Sequence, residues 1–161
     1  MSKKLVAGLL LAAAAAAIIF LIWPSDERRI RKLFKEGATA VESKDLDGVM
    51  SKISYNYRDD YGMTYMYLKE TLKREFAKLS DPRVELSNLR IKVFKKTASK
   101  EEGGFTLKEA IAEADVRVLA TIGTETGYII GDPKSPVHLR FTLEKERMSW
   151  HVVEAEGYLP E

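Results

Sequence analysis

Apolar residues fall along this chain in three successive rhythms. Between Leu5 and Trp23 no residue is charged and nearly all are apolar. That run of about 19 residues makes roughly 28 Å of helix, close to the roughly 30 Å hydrocarbon core of a bilayer. The rhythm then becomes helical. Ser25 is placed to cap a helix with Asp26 and Glu27 in its first turn, where the helix dipole favours acids. Ile30, Leu33, Phe34, Ala38 and Val41 follow at helical spacing. Asp45 is expected to start a short second helix with Leu46, Val49, Met50 and Ile53 inward. Thr64 or Gly62 opens a third, striped by Tyr65, Leu68, Leu72, Phe76 and Leu79 and closed by Asp81-Pro82.

Beyond Pro82 the period falls to two. Val84 and Leu86 alternate, then Leu89, Ile91 and Val93. Residues 97–106, with Gly103-Gly104, read as a flexible turn. A long alternating run follows in Ala110, Ala112, Ala114, Val116, Val118, Ala120 and Ile122. Its alanine-rich start suits a helix as well as a strand, whereas its β-branched end favours strand. Residues 123–136 are punctuated by Gly and Pro, with room for a short strand at 128–130. Val137, Leu139, Phe141 and Leu143 alternate again, a hairpin turn is expected at 145–148, and Trp150 and Val152 begin a last strand running toward Tyr158. Three helices followed by antiparallel strands is an α+β order.

Charge bears on the leading segment. The formal net charge is +2, from 26 Lys+Arg and 24 Asp+Glu, and Lys3 and Lys4 ahead of the apolar run carry that excess. The remainder is neutral, which gives no electrostatic case for nucleic-acid binding. A cleaved signal peptide would place small residues just before the cut. Here the small residues lie mid-run at 12–17, and bulky Ile18, Ile19, Phe20, Leu21, Ile22 and Trp23 follow them. The order favours an uncleaved anchor over residues 1–24, a single-pass signal anchor in the cytoplasmic membrane, ahead of a domain over residues 25–161. Export after cleavage is the alternative. Lys3 and Lys4 favour an extracytoplasmic C-terminal domain, although Arg28, Arg29, Arg31, Lys32 and Lys35 pull the other way under the positive-inside rule. The absence of cysteine removes disulfides, thiolate nucleophiles and cysteine lipidation.

The helix pair, the segment Ile53-Ser54-Tyr55-Asn56-Tyr57-Arg58-Asp59-Asp60-Tyr61-Gly62, the third helix and a meander ending in Glu144-Lys145-Glu146-Arg147-Met148-Ser149-Trp150-His151-Val152-Val153 resemble the nuclear-transport-factor-2-like superfamily. That group includes ketosteroid isomerase-like and polyketide cyclase-like proteins. The resemblance spans roughly residues 26–158. It implies a curved antiparallel sheet wrapped as a cone around three helices, often with a pocket, and many such proteins have no enzyme activity. Type IV secretion components that join one membrane helix to a domain of this superfamily are similar in architecture.

The tyrosine-acid segment is the most suggestive chemistry. Tyr55, Tyr57, Asp59, Tyr61 and Tyr65 could line a pocket and polarise a carbonyl. The plainer reading gives Tyr65 to the core stripe and Asp59-Asp60-Tyr61-Gly62 to a turn. Metal binding by Asp59 and Asp60 lacks a nearby His or third acid, and neither a metal nor a cofactor is expected. His138 and His151 are expected on the outer, solvated face. The inward positions of the clear strands contain no carboxylate, His, Lys or Arg, whereas the resemblance places the acids of ketosteroid isomerase-like enzymes there. The favoured reading is therefore a membrane-tethered, non-catalytic envelope domain that binds an envelope protein partner, a second copy or a small apolar ligand. The alternative is an isomerase, dehydratase or hydrolase with its pocket near Tyr57, Asp59 and Tyr61.

Overall fold

The computed structural model describes residues 25–97 and 106–157. The apolar run between Leu5 and Trp23, the Gly103-Gly104 turn and Tyr158 lie outside the described residues. Among the described residues no helix is long and apolar enough to cross a membrane. The elements are α1 (Asp26–Glu42), α2 (Leu46–Met50), α3 (Tyr65–Lys78), β1 (Leu79–Thr97), β2 (Thr106–Ile122), β3 (Glu125–Ile130), β4 (Val137–Glu146) and β5 (Ser149–Gly157).

Helix starts follow the local chemistry. Ser25 Oγ accepts from the backbone N–H of Arg28 at 3.2 Å, and Asp45 Oδ1 accepts from Gly48 at 2.9 Å, each satisfying an orphan donor of a first turn. Thr64 is the N-cap of α3 and makes no side-chain cap bond. The ends differ from expectation. α2 stops at Met50, and Ile53 leaves the helix to pair with Val152. α3 stops at Lys78 rather than at Asp81-Pro82, because Leu79 already has extended backbone and opens β1. Asp81 and Pro82 sit in a bulge of that strand, Asp81 at φ +46°, a place where proline's missing N–H is tolerated.

The sheet is antiparallel. β2 is its spine: β1 runs along one side, while β4 and β3 share the other, and β4 carries β5. A second bulge in β1, between Ser87 and Arg90, sets two residues against Ala114. It moves inward parity from Val84 and Leu86 to Leu89 and Ile91. The free edge of β5 is covered by the segment after α2. Val152 N–H donates to Lys52, Ser54 N–H to Val152, and Arg58 N–H to Val153, at 2.9–3.0 Å.

The alanine-rich start of β2 is strand throughout, with every even position from Ala110 to Ala120 buried. Its alanines are small because α1 lies on them: Ile30 and Leu33 pack with Ala110, Ala112, Leu143, Trp150 and Val152. β3 begins at Glu125, earlier than the 128–130 expected, because Gly123 at φ +63° turns the chain back at once. The β4–β5 turn narrows to Arg147 and Met148.

Candidate functional site

Toward the C-terminal half of β2 the helices no longer fill the inner face, and a cavity of about 500 Å³ opens between α1, α3 and the sheet. Gly37 and Ala38 on α1 leave room on the helix wall, which Phe34, Val41, Leu72 and Phe76 complete. The sheet wall is made only of aliphatic and aromatic side chains, among them Leu86, Val116, Val118, Leu139 and Phe141. Ile122 and Ile129, both exposed, form an apolar rim. Such a chamber is sized for a small apolar ligand.

Two ionisable residues reach its lining, Lys52 and Glu75, and both are engaged. Lys52 Nζ meets Glu36 Oε2 at 2.6 Å. Lys78 Nζ donates to Glu75 Oε1 at 2.9 Å and holds that carboxyl below its ordinary range. A general base working near neutrality needs a shift in the opposite direction. The other residues of the lining carry no ionisable group.

The tyrosine-acid segment lies elsewhere. None of Tyr55, Tyr57, Asp59, Tyr61 or Tyr65 lines the large cavity. Asp59 is buried and ties a turn: its Oδ1 accepts from the backbone N–H of Tyr61 at 3.0 Å and of Met63 at 2.8 Å. The Tyr57 hydroxyl donates to its Oδ2 at 3.4 Å. Burial, and then the charge of Asp59, push the Tyr57 phenol well above its usual range, so it stays a protonated donor. Tyr61 is exposed, with its hydroxyl on the Gly157 carbonyl at 3.1 Å. The rings of Tyr55 and Tyr65 approach to 4.6 Å. They border a small cleft of about 130 Å³ with Ser54, Glu146 and His151. There the buried Ser54 hydroxyl donates to Glu146 Oε1 at 2.6 Å.

The two histidines part company. His138 is exposed, as expected, with Nδ1 2.9 Å from Asp115 Oδ1. His151, expected to be solvated, is half-buried, and its Nδ1 lies 3.6 Å from Glu146 Oε2 without a hydrogen bond. Covering of the β5 edge by the 52–58 segment shelters it, a long-range pairing that strand parity cannot reveal. Asp60 turns outward, and its carboxylate comes within 4.8 Å of those of Glu154 and Glu156. Asp60 is exposed and the two glutamates are half-buried; contrary to the expectation that no further acid lies near Asp59 and Asp60, β5 brings these two beside Asp60.

Sequence comparison finds no matching family model and no matching curated protein. Solved structures do match. A proposed scytalone dehydratase from Novosphingobium aromaticivorans superposes with a TM-score of 0.65 at 14% identity, over 83% of this chain and 85% of that one. A proposed aromatic ring hydroxylase from the same organism gives 0.63 at 16% identity, over 84% and 90%. An NTF2-like protein with a cystatin-like fold, also from that organism, gives 0.59 at 15% identity, over 92% and 89%. At such identities the likeness is one of fold. The chain has an α+β, cystatin-like fold similar to that of the NTF2-like protein among them, and the chemistry of those proteins does not transfer with it.

Proposed function

We propose that the chain is a membrane-tethered, non-catalytic domain that takes a small apolar ligand, or an apolar side chain of a partner protein, into the cavity between α1, α3 and the sheet. The observation that carries this reading is the lining: an aliphatic and aromatic sheet wall, with Lys52 and Glu75 as the ionisable residues and both held in ion pairs. Burying about 200 Å² of apolar surface there is worth roughly 5 kcal/mol before the cost of ordering the ligand. The lining therefore suits recognition by shape and apolar area. Tethering is supported by the uncharged run between Leu5 and Trp23 behind Lys3 and Lys4.

The test has two parts. Residues 25–161 should melt cooperatively without the leading segment and enhance the fluorescence of the neutral probe N-phenyl-1-naphthylamine. Val118→Trp, which fills the cavity, should abolish the enhancement while the cooperative melt remains. Equal probe binding by that variant would remove the cavity from the proposal. For the tether, intact mass of the membrane-extracted full chain should show no cleavage, and a C-terminal alkaline phosphatase fusion should be active. An inactive fusion would place the domain on the cytoplasmic side.

A second reading keeps an enzyme, an isomerase, dehydratase or hydrolase, because Tyr57 and Asp59 form a buried hydrogen-bonded pair. Both oxygens of Asp59 already serve the turn or Tyr57, which is why the binding reading is preferred.

A further inference from the structure

The end of the domain that carries the start of α1 differs from the end that carries the cavity rim. Ser25, the cap of α1, follows Trp23 by two residues. Extended chain covers at most about 3.6 Å per residue. If the run between Leu5 and Trp23 is embedded, the first turn of α1 therefore lies within about 10 Å of the lipid interface. What surrounds that turn is fixed by contacts. Lys108 and Lys145 both reach Asp26 at 2.7 Å, and Arg29 Nη1 donates to the Met148 carbonyl at 3.3 Å. Lys95 is the cross-strand partner of Lys108, and Phe94 that of Glu109. The β4–β5 turn and the far end of β1 thus share this end with the start of α1.

Two kinds of side chain are exposed there. Met148 is 61% exposed and Phe94 45%, both large apolar groups. Arg28, Lys95 and Arg147 are exposed and make no ion pair among the described residues. Of the nearby acids, Asp26 is held by the two lysines, Glu27 by Arg31 at 2.8 Å, and Glu146 accepts from Ser54; Glu109 has a partner too, and Glu144, half-buried, stands next to it across β2 and β4. Free cations beside exposed apolar groups, at the end of the domain that carries the start of α1, suit anionic headgroups.

We propose that this end of the domain docks on anionic lipid headgroups, with Arg28, Lys95 and Arg147 facing the phosphates and Met148 and Phe94 entering the interface. The proposal rests on the tethered reading above. Docking holds α1 upright on the bilayer. α1 has 17 residues, about 25 Å at 1.5 Å per residue, and the cavity rim near Val41, Leu79 and Ile122 adjoins its far end. The rim then faces the aqueous side, and the ligand or partner arrives from there rather than out of the membrane.

The absence of cysteine makes the test direct. The full chain carrying Met148→Cys, or Thr124→Cys in the β2–β3 turn as the distant control, is labelled with a nitrobenzoxadiazole dye. Each is reconstituted into phosphatidylcholine vesicles containing phosphatidylglycerol and a headgroup-nitroxide lipid. The expected result is quenching at position 148 several-fold greater than at 124, and its loss when Arg28→Glu, Lys95→Glu and Arg147→Glu are combined. Equal quenching at both positions in chains that float with the vesicles overturns docking and leaves the tether intact. Failure to float overturns the tether, and docking with it.

Discussion

The indole Nε1 of Trp150 donates to Asp26 Oδ1 at 3.2 Å, joining the last strand to the first turn of α1 across 124 residues of chain. Trp150 is 4% exposed and belongs to the cluster that includes Ile30, Leu143 and Val152, with Phe141 packed against it. Phe141 itself meets Phe34 edge-on at 5.0 Å. The indole therefore fills the core and orients the helix start at once. Trp150→Ala should destabilise residues 25–161 by roughly 3–5 kcal/mol, read as a fall in urea midpoint. Trp150→Phe should recover much of the packing but not the link to Asp26. A small midpoint change for the alanine variant would mean that the indole is not a core residue.

Asp26 gives the same junction a pH dependence. Burial would raise its pKa, but hydrogen bonds from Lys108, Lys145 and Trp150 outweigh it and lower the carboxyl from 3.8 to about 2. A carboxyl depressed on folding contributes stability that is complete above its unfolded pKa, near 4, and is lost as pH falls toward 2. Solvent screening trims the contribution to roughly 1–2 kcal/mol. Asp26→Asn should lose about that much at pH 7, and the difference from the parent should shrink between pH 4 and pH 2. A constant gap across that window would refute the electrostatic account.

Asp59 separates the turn from catalysis. Its Oδ1 alone accepts both the Tyr61 and Met63 N–H groups, so the amide oxygen of Asp59→Asn can take over that task. The asparagine variant should stay within about 1 kcal/mol of the parent. Asp59→Ala leaves two backbone donors and the Tyr57 hydroxyl unserved, at roughly 1–3 kcal/mol. Neither substitution should change N-phenyl-1-naphthylamine binding. In a host strain lacking the gene, a stable asparagine variant that fails to complement would move the tyrosine-acid segment to the centre of function.

These contrasts mark what the sequence could disclose. The starts of α1 and α2, and the period-two runs at Val137 to Leu143 and Val116 to Ile122, are local patterns, and they folded as read. The shift from Val84 and Leu86 to Leu89 and Ile91 is visible as a broken parity, and the bulge at Ser87–Arg90 is its cause. Other features depend on pairings distant in sequence. The alanines of β2 became strand because α1 lies over them. The shelter around His151 and the bond between Trp150 and Asp26 likewise need the fold. The cavity was the least legible of all. Phe34, Ala38, Leu72 and Leu139 sit on stripes that read as core, and periodicity cannot tell a packed wall from one facing open space.

That difference can be measured on one strand. Ala112 and Val118 occupy the same face of β2. Ala112 is fully buried beneath α1 among Ile30, Leu33 and Leu143, whereas Val118 borders the cavity. Added methylenes have nowhere to go at position 112, and overpacking costs about 1–3 kcal/mol. At position 118 they enter open space and bury more apolar surface, at about 0.8 kcal/mol per methylene in the favourable direction. Ala112→Leu should therefore lower the urea midpoint of residues 25–161, while Val118→Leu should leave it unchanged or raise it and weaken probe binding. Similar losses for both would mean that the space beside Val118 is packed in solution, and the apolar-ligand reading would lose its chamber.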